Sequence, residues 1–101
     1  MASRLELHEE LCELLGTRNV YFQPPSSVKM KYPAIVYSLD ALETKHANDS
    51  IYSMNTRYSL TYIDEDPESV KVQEILKLPY CRFNRFYISD NLNHYNYTIY
   101  Y

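Results

Sequence analysis

The sequence predicts an α+β domain: an antiparallel or mixed sheet of about four to five strands with two helices packed on it. Three observations carry that prediction. The 101-residue chain holds twelve tyrosines, three phenylalanines and no tryptophan, a composition that favours strands. Segments of period-two alternation recur along it, and two short stretches at helical spacing stand among them. A chain of this length makes one domain, residues 1–101, and buries about two thirds of the surface its unfolded form exposes.

The elements follow in order. Ser3 and Glu6 have the spacing of a capping box, in which each side chain satisfies the other's orphan backbone donor. Leu7, Leu11, Leu14 and Leu15 then recur at i, i+4, i+7 and i+8, with Glu6, Glu9, Glu10 and Glu13 mostly on the other side. Gly16 is placed as a left-handed C-cap. The leucine stripe is read as packing on a sheet rather than on a membrane or partner.

Residues 18–33, with three prolines and paired serines, cannot form a long helix or a central strand. They read as an extended connector with a short edge strand over residues 19–22. AIVYSLD, from Ala34, is a strand with Ile35, Tyr37 and Leu39 on one face. ALETKHANDSIYSMN is polar without strong periodicity and reads as a long mobile loop, a class that in compact domains is functional or disordered. Over residues 57–63, Tyr58, Leu60 and Tyr62 alternate with Arg57, Ser59 and Thr61, the signature of a half-buried antiparallel strand.

Asp64, Glu65 and Asp66 come next. Asp66, Pro67 and Glu68 read as an N-cap, a proline at the first helical position and an acid in the first turn. The second helix then runs to about Lys77, with Val72, Ile75 and Leu76 as its apolar stripe and Pro79 limiting it. The last segment reads as a hairpin turning around residues 89–93, where Asp90 and Asn91 supply the turn chemistry.

Composition excludes several functions. A single glycine leaves no glycine-rich phosphate cradle. A net charge of −3 repels rather than collects a polyanion. The N-terminal segment places glutamates inside its apolar run, so neither a signal peptide nor a membrane span is expected, and synthesis and residence in the cytoplasm are. Cys12 and Cys81 are accordingly read as free, mostly buried thiols.

Each catalytic or metal reading of the sequence has a plainer structural alternative. Asp64, Glu65 and Asp66 could hold a divalent metal as in a small hydrolase, but adjacent strand residues point to opposite faces. His8 and Cys12, four apart, lack a second close pair beyond the remote Cys81 and His94. A core cysteine and a surface histidine are the favoured reading. Arg82 and Arg85 beside Phe83 and Phe86 would suit base stacking only in a basic groove. Tyrosine-rich surfaces favour protein interfaces, which points to an assembly subunit.

Read in order, LHEELCELLG, KYPAIVYSL, RYSLTYIDEDP and SDNLNHYNYT give a chain that resembles the tail terminator, or tail completion, proteins of long-tailed bacteriophages over nearly its whole length from Leu7. The resemblance implies a non-enzymatic virion subunit without a cofactor or metal, assembled in the host cytoplasm. It implies a homo-oligomeric, hexameric ring at the head-proximal end of the tail that ends tube polymerisation. The tail tube protein and the head connector or stopper would be its partners. Phage DNA would pass through an acidic lumen without specific binding. The loop at residues 43–55 would carry the partner contact, through Glu43, Thr44, Lys45, His46, Asn48, Asp49, Ser50, Tyr52 and Asn55. Rival readings are another neck component, a connector or stopper, and a small metal-dependent hydrolase using Asp64 and Asp66.

Overall fold

The computed structural model describes residues 4–47 and 50–101, and residues 43–47 and 50–55 at the level of the strand backbone. Its elements run α1 (Arg4–Leu15), β1 (Val20–Phe22), β2 (Ala34–Ala47), β3 (Ser50–Asp64), α2 (Lys71–Leu76), β4 (Cys81–Ser89) and β5 (Leu92–Tyr100). The five strands form one sheet in the order β1-β2-β3-β5-β4. Only β1 and β2 pair in parallel; the other neighbours are antiparallel. The sheet is therefore mixed, and the α+β class predicted above holds.

α1 ends at Gly16, whose φ of 81° is the left-handed conformation expected of a C-cap, and its N–H donates to the Cys12 carbonyl at 2.9 Å. Ser3, the expected N-cap, lies outside the described residues. Leu7, Leu11, Cys12 and Leu15 are buried on one face of the helix, with Leu14 packed at the margin. They meet Ile35 and Tyr37 of β2, Tyr58, Leu60 and Tyr62 of β3, Tyr97 and Ile99 of β5, and Ile75 of α2 in one core.

Tyrosine fills much of that core, and the three fully buried rings, Tyr37, Tyr62 and Tyr97, each keep a partner for the hydroxyl. The Tyr37 hydroxyl lies 2.8 Å from His8 Nδ1 and accepts from Arg4 at 3.3 Å. The Tyr62 hydroxyl donates to Asp64 and lies 2.9 Å from Ser69 Oγ. The Tyr97 hydroxyl donates to the Val72 carbonyl at 3.0 Å. Among the described residues no buried side-chain nitrogen or oxygen lacks a partner. Burial holds the phenols of Tyr62 and Tyr97 well above their ordinary range.

His8 is thus no plain surface histidine. The Tyr37 hydroxyl, which accepts from Arg4, is also within hydrogen-bond distance of His8 Nδ1 and ties that ring to the core. Burial first, then the charges of Arg4 and Arg18, lower the His8 pKa below 6.5, with Glu9 opposing them. A folded pKa below the unfolded one means the unfolded chain takes up the proton first as pH falls. The stabilisation is therefore present above the unfolded value near 6.5 and is lost as pH drops through that value and then the folded one. The melting temperature should fall between pH 7 and pH 5, and His8→Gln should flatten that dependence; equal slopes in thermal melts of both proteins would refute the linkage.

The second helix departs from the sequence reading. α2 begins at Lys71 with Val70 as its N-cap, not at Asp66. Asp66 Oδ1 instead accepts from the Glu68 N–H at 2.9 Å, and Asp64 Oδ1 from the Asp66 N–H at 3.0 Å. Two successive side-chain-to-backbone turns of this kind compete with a helix start. The helix forms only after Ser69, whose hydroxyl accepts from the Lys71 N–H at 3.3 Å. Of its predicted stripe Ile75 is buried and Val72 half-buried, whereas Leu76 is exposed and Leu78 takes its place at the core margin. The Lys71 ammonium donates to the Leu14 carbonyl at 2.9 Å, placing a cation at the C-terminal end of α1 where the helix dipole favours it.

Both helices cover one face of the sheet. The opposite face carries a polar ladder: Asn96 Nδ2 donates to Ser59 Oγ at 3.2 Å and Thr61 Oγ1 at 3.1 Å, and Asn84 Nδ2 to Thr98 Oγ1 at 2.6 Å. The β4–β5 turn has Asp90 and Asn91 at φ of 52° and 63°, the paired left-handed geometry of a two-residue type I′ hairpin.

Candidate assembly interface

The expected loop at residues 43–55 is replaced by the outer part of a long hairpin. β2 and β3 stay paired from Ala34↔Ile63 to Ala47↔Ser50, with irregularities between Leu39 and Ala41 and between Lys45 and His46. β5 stops opposite Arg57 at Tyr100. Beyond that point β2 and β3 continue with no third strand beside them among the described residues, by roughly 20 Å at about 3.3 Å per residue, which fits a molecule measuring 51 × 28 × 24 Å. The strand geometry there comes from pairing across the hairpin, and the sequence lacks the alternation by which a strand with one buried face is read.

Most of the residues assigned to partner contact fall on this arm. Glu43 faces Asn55, Thr44 faces Met54, Lys45 faces Ser53, and Ser50 faces Ala47; His46 pairs with Ile51, and Tyr52 lies in β3 at the irregularity. Asn48 and Asp49 lie outside the described residues. The arm therefore presents the two halves of the predicted segment side by side.

Its root is clamped. Arg57 Nε donates to Asp40 Oδ2 at 2.8 Å, and Arg57 also bonds the Tyr100 side chain, so one guanidinium joins β2, β3 and β5. The Tyr101 N–H donates to the Thr56 carbonyl at 3.1 Å. On the helix side of the root, Leu39 and Leu42 are 46% and 55% exposed. Leu39 was read on one strand face with Ile35 and Tyr37, but those two are fully buried and Leu39 is not.

The β4 residues that the sequence reading weighed only for base stacking form an exposed row. Phe83 and Phe86 face the helix side, packing against Tyr97 and Tyr95 with ring centroids 5.6 and 5.0 Å apart, and Ile88 continues their row opposite Asn93. They remain 41%, 47% and 65% exposed. Arg85 lies over the Tyr87 ring at 5.1 Å, and Tyr87 stacks on His94 at 4.8 Å. The run CRFNRFYIS carried the signal, since its apolar residues continue along a strand that is exposed at every position after Cys81.

The candidate metal and nucleophile residues are not brought together. Cys12 is buried in the core and Cys81 starts β4, its thiol pushed up to about 11 by burial. His8 is held by Tyr37, and His94 Nδ1 lies 3.0 Å from the Leu92 carbonyl. Asp64 and Asp66 are engaged in the turn described above. Among the described residues no helix is long and apolar enough to cross a membrane. Comparison with family models, with curated proteins and with solved structures gives no match.

Proposed function

We propose that this protein is a structural subunit of a phage tail, a tail terminator that assembles as a ring on the head-proximal end of the tube. The ring ends tube growth and offers its other surface to the head connector, while DNA passes through its lumen. The observation that carries this reading is the clamped two-stranded arm, which lies at the segment the family resemblance assigns to partner contact. A subunit with an extended arm at one end of its sheet and an uncovered strand at one edge is built for association in more than one direction. Its chemistry is that of surfaces: backbone edges, apolar rows and tyrosines.

Electron microscopy of the purified protein, alone and mixed with isolated tail tubes, tests the proposal. Rings of tube diameter that seat on one end of each tube are expected. Rings that bind the head connector but not the tube would make the protein a connector or stopper instead, and a monomer that leaves both untouched would end the reading.

A further inference from the structure

We infer that β4 receives the outer edge of β2, around residues 39–43, from a second copy of this chain, so that subunits join head to tail through their sheets. Among the described residues β4 pairs with β5 alone, and its outer backbone groups are open to another strand. On the far side of the sheet, β1 covers only Ile35 to Tyr37 of β2. The Gln23 side chain accepts from the Leu39 N–H at 3.1 Å, and beyond it β2 has no strand on that flank among the described residues. Each flank carries exposed apolar side chains on the helix side, Phe86 and Ile88 on one, Leu39 and Leu42 on the other.

Charge selects the partner. From Lys77 to Ser89 the chain has Lys77, Arg82 and Arg85 and no acid, in a protein of net charge −3. Pairing β4 with another β4 would line four arginines along one ribbon, and like charges facing across strands are destabilising. The bulge between Phe83 and Arg85 further obstructs regular self-pairing. The β2 flank instead offers Asp40, a half-exposed carboxylate of which Oδ2 takes the Arg57 bond, so acid meets arginine while leucine meets phenylalanine and isoleucine. Because the two edges lie at opposite ends of the strand order, the contact is heterologous and repeats from copy to copy, closing into a ring where the rotation allows. The inference rests on the proposed ring only for that closure.

Ile88→Lys and Leu42→Lys test it, since both side chains are exposed and neither belongs to the core. The wild-type chain at tens of micromolar should be oligomeric by light scattering, and each variant alone should be monomeric with an unchanged melting curve. Mixed one to one, the variants should form dimers and stop there, because each pair keeps one intact junction and two spoiled ends. A monomeric wild type, a variant that keeps the wild-type mass, or a mixture that stays monomeric would overturn the inference. If the junction is verified but the assemblies are open filaments, or rings that ignore tube ends, the terminator reading falls and the β4 contact stands.

Discussion

Leu11→Ala is expected to cost about 2–5 kcal/mol, the range for emptying a fully buried leucine site. Leu11 is 0% exposed at the middle of α1, and the cluster around it includes Leu7, Leu15, Ile35 and Tyr37. Those neighbours are fixed at both ends. The leucines are on a helix capped at Gly16, and Tyr37 is held by hydrogen bonds with Arg4 and His8, so little collapse into the vacated volume is available. Against a total stability of about 5–15 kcal/mol, the loss is a large fraction, and a domain of this size should melt roughly 10 °C lower or more. Calorimetry checks the magnitude, with Leu5→Ala as the control, since Leu5 is 65% exposed on the same helix and should change stability by less than about 0.5 kcal/mol. A Leu11→Ala protein as stable as wild type that has lost a binding partner would mark the leucine stripe as a docking face.

The parts of this fold that were legible in the sequence are those where burial imposes a period. Leu7, Leu11 and Leu15 on α1, Tyr58, Leu60 and Tyr62 on β3, and Tyr97 and Ile99 on β5 all face one core, so their spacing reports the element. Glycine and asparagine at left-handed φ reported the ends of α1 and the β4–β5 turn in the same way. Where no core acts, the reading failed for identifiable reasons. The arm has strand geometry set by cross-strand pairing alone, so its residues were free to be polar. Asp66 has N-cap chemistry, but the same chemistry builds a turn on the next two residues, and composition cannot choose between the two uses. The candidate interface divides likewise: the arm was located by its length and polarity, whereas the β4 row was hidden because Phe83 and Phe86 look like core residues until the helical layer is seen to stop short of them.

Replacing residues 44–54 with an Asn-Gly turn should leave the fold intact and abolish tail completion. Glu43 and Asn55 face each other in register, so a two-residue type I′ turn fits directly between them. The sheet below would lose nothing it depends on. β5 ends opposite Arg57, the Arg57–Asp40 pair and the Tyr101–Thr56 backbone bond hold the root, and a two-stranded ribbon past that point has marginal stability of its own. Shortening the connection also does not raise its closure entropy, so the melting temperature should move by no more than a few degrees. Leu39, Asp40, Leu42 and Glu43 remain in this variant, so the subunit-to-subunit contact inferred for β4 should survive and rings should still form. What should be missing is the grip on the tube. In a phage whose own copy is deleted, the shortened protein should give over-long tails or tails that do not join heads, counted by micrograph. Tails of normal length, joined to heads, would take the arm out of the mechanism and leave the terminator proposal without the observation that carries it. A variant that folds but no longer forms rings would instead place the arm in the contact between neighbouring subunits, and the tube would have to be gripped by another surface of the ring.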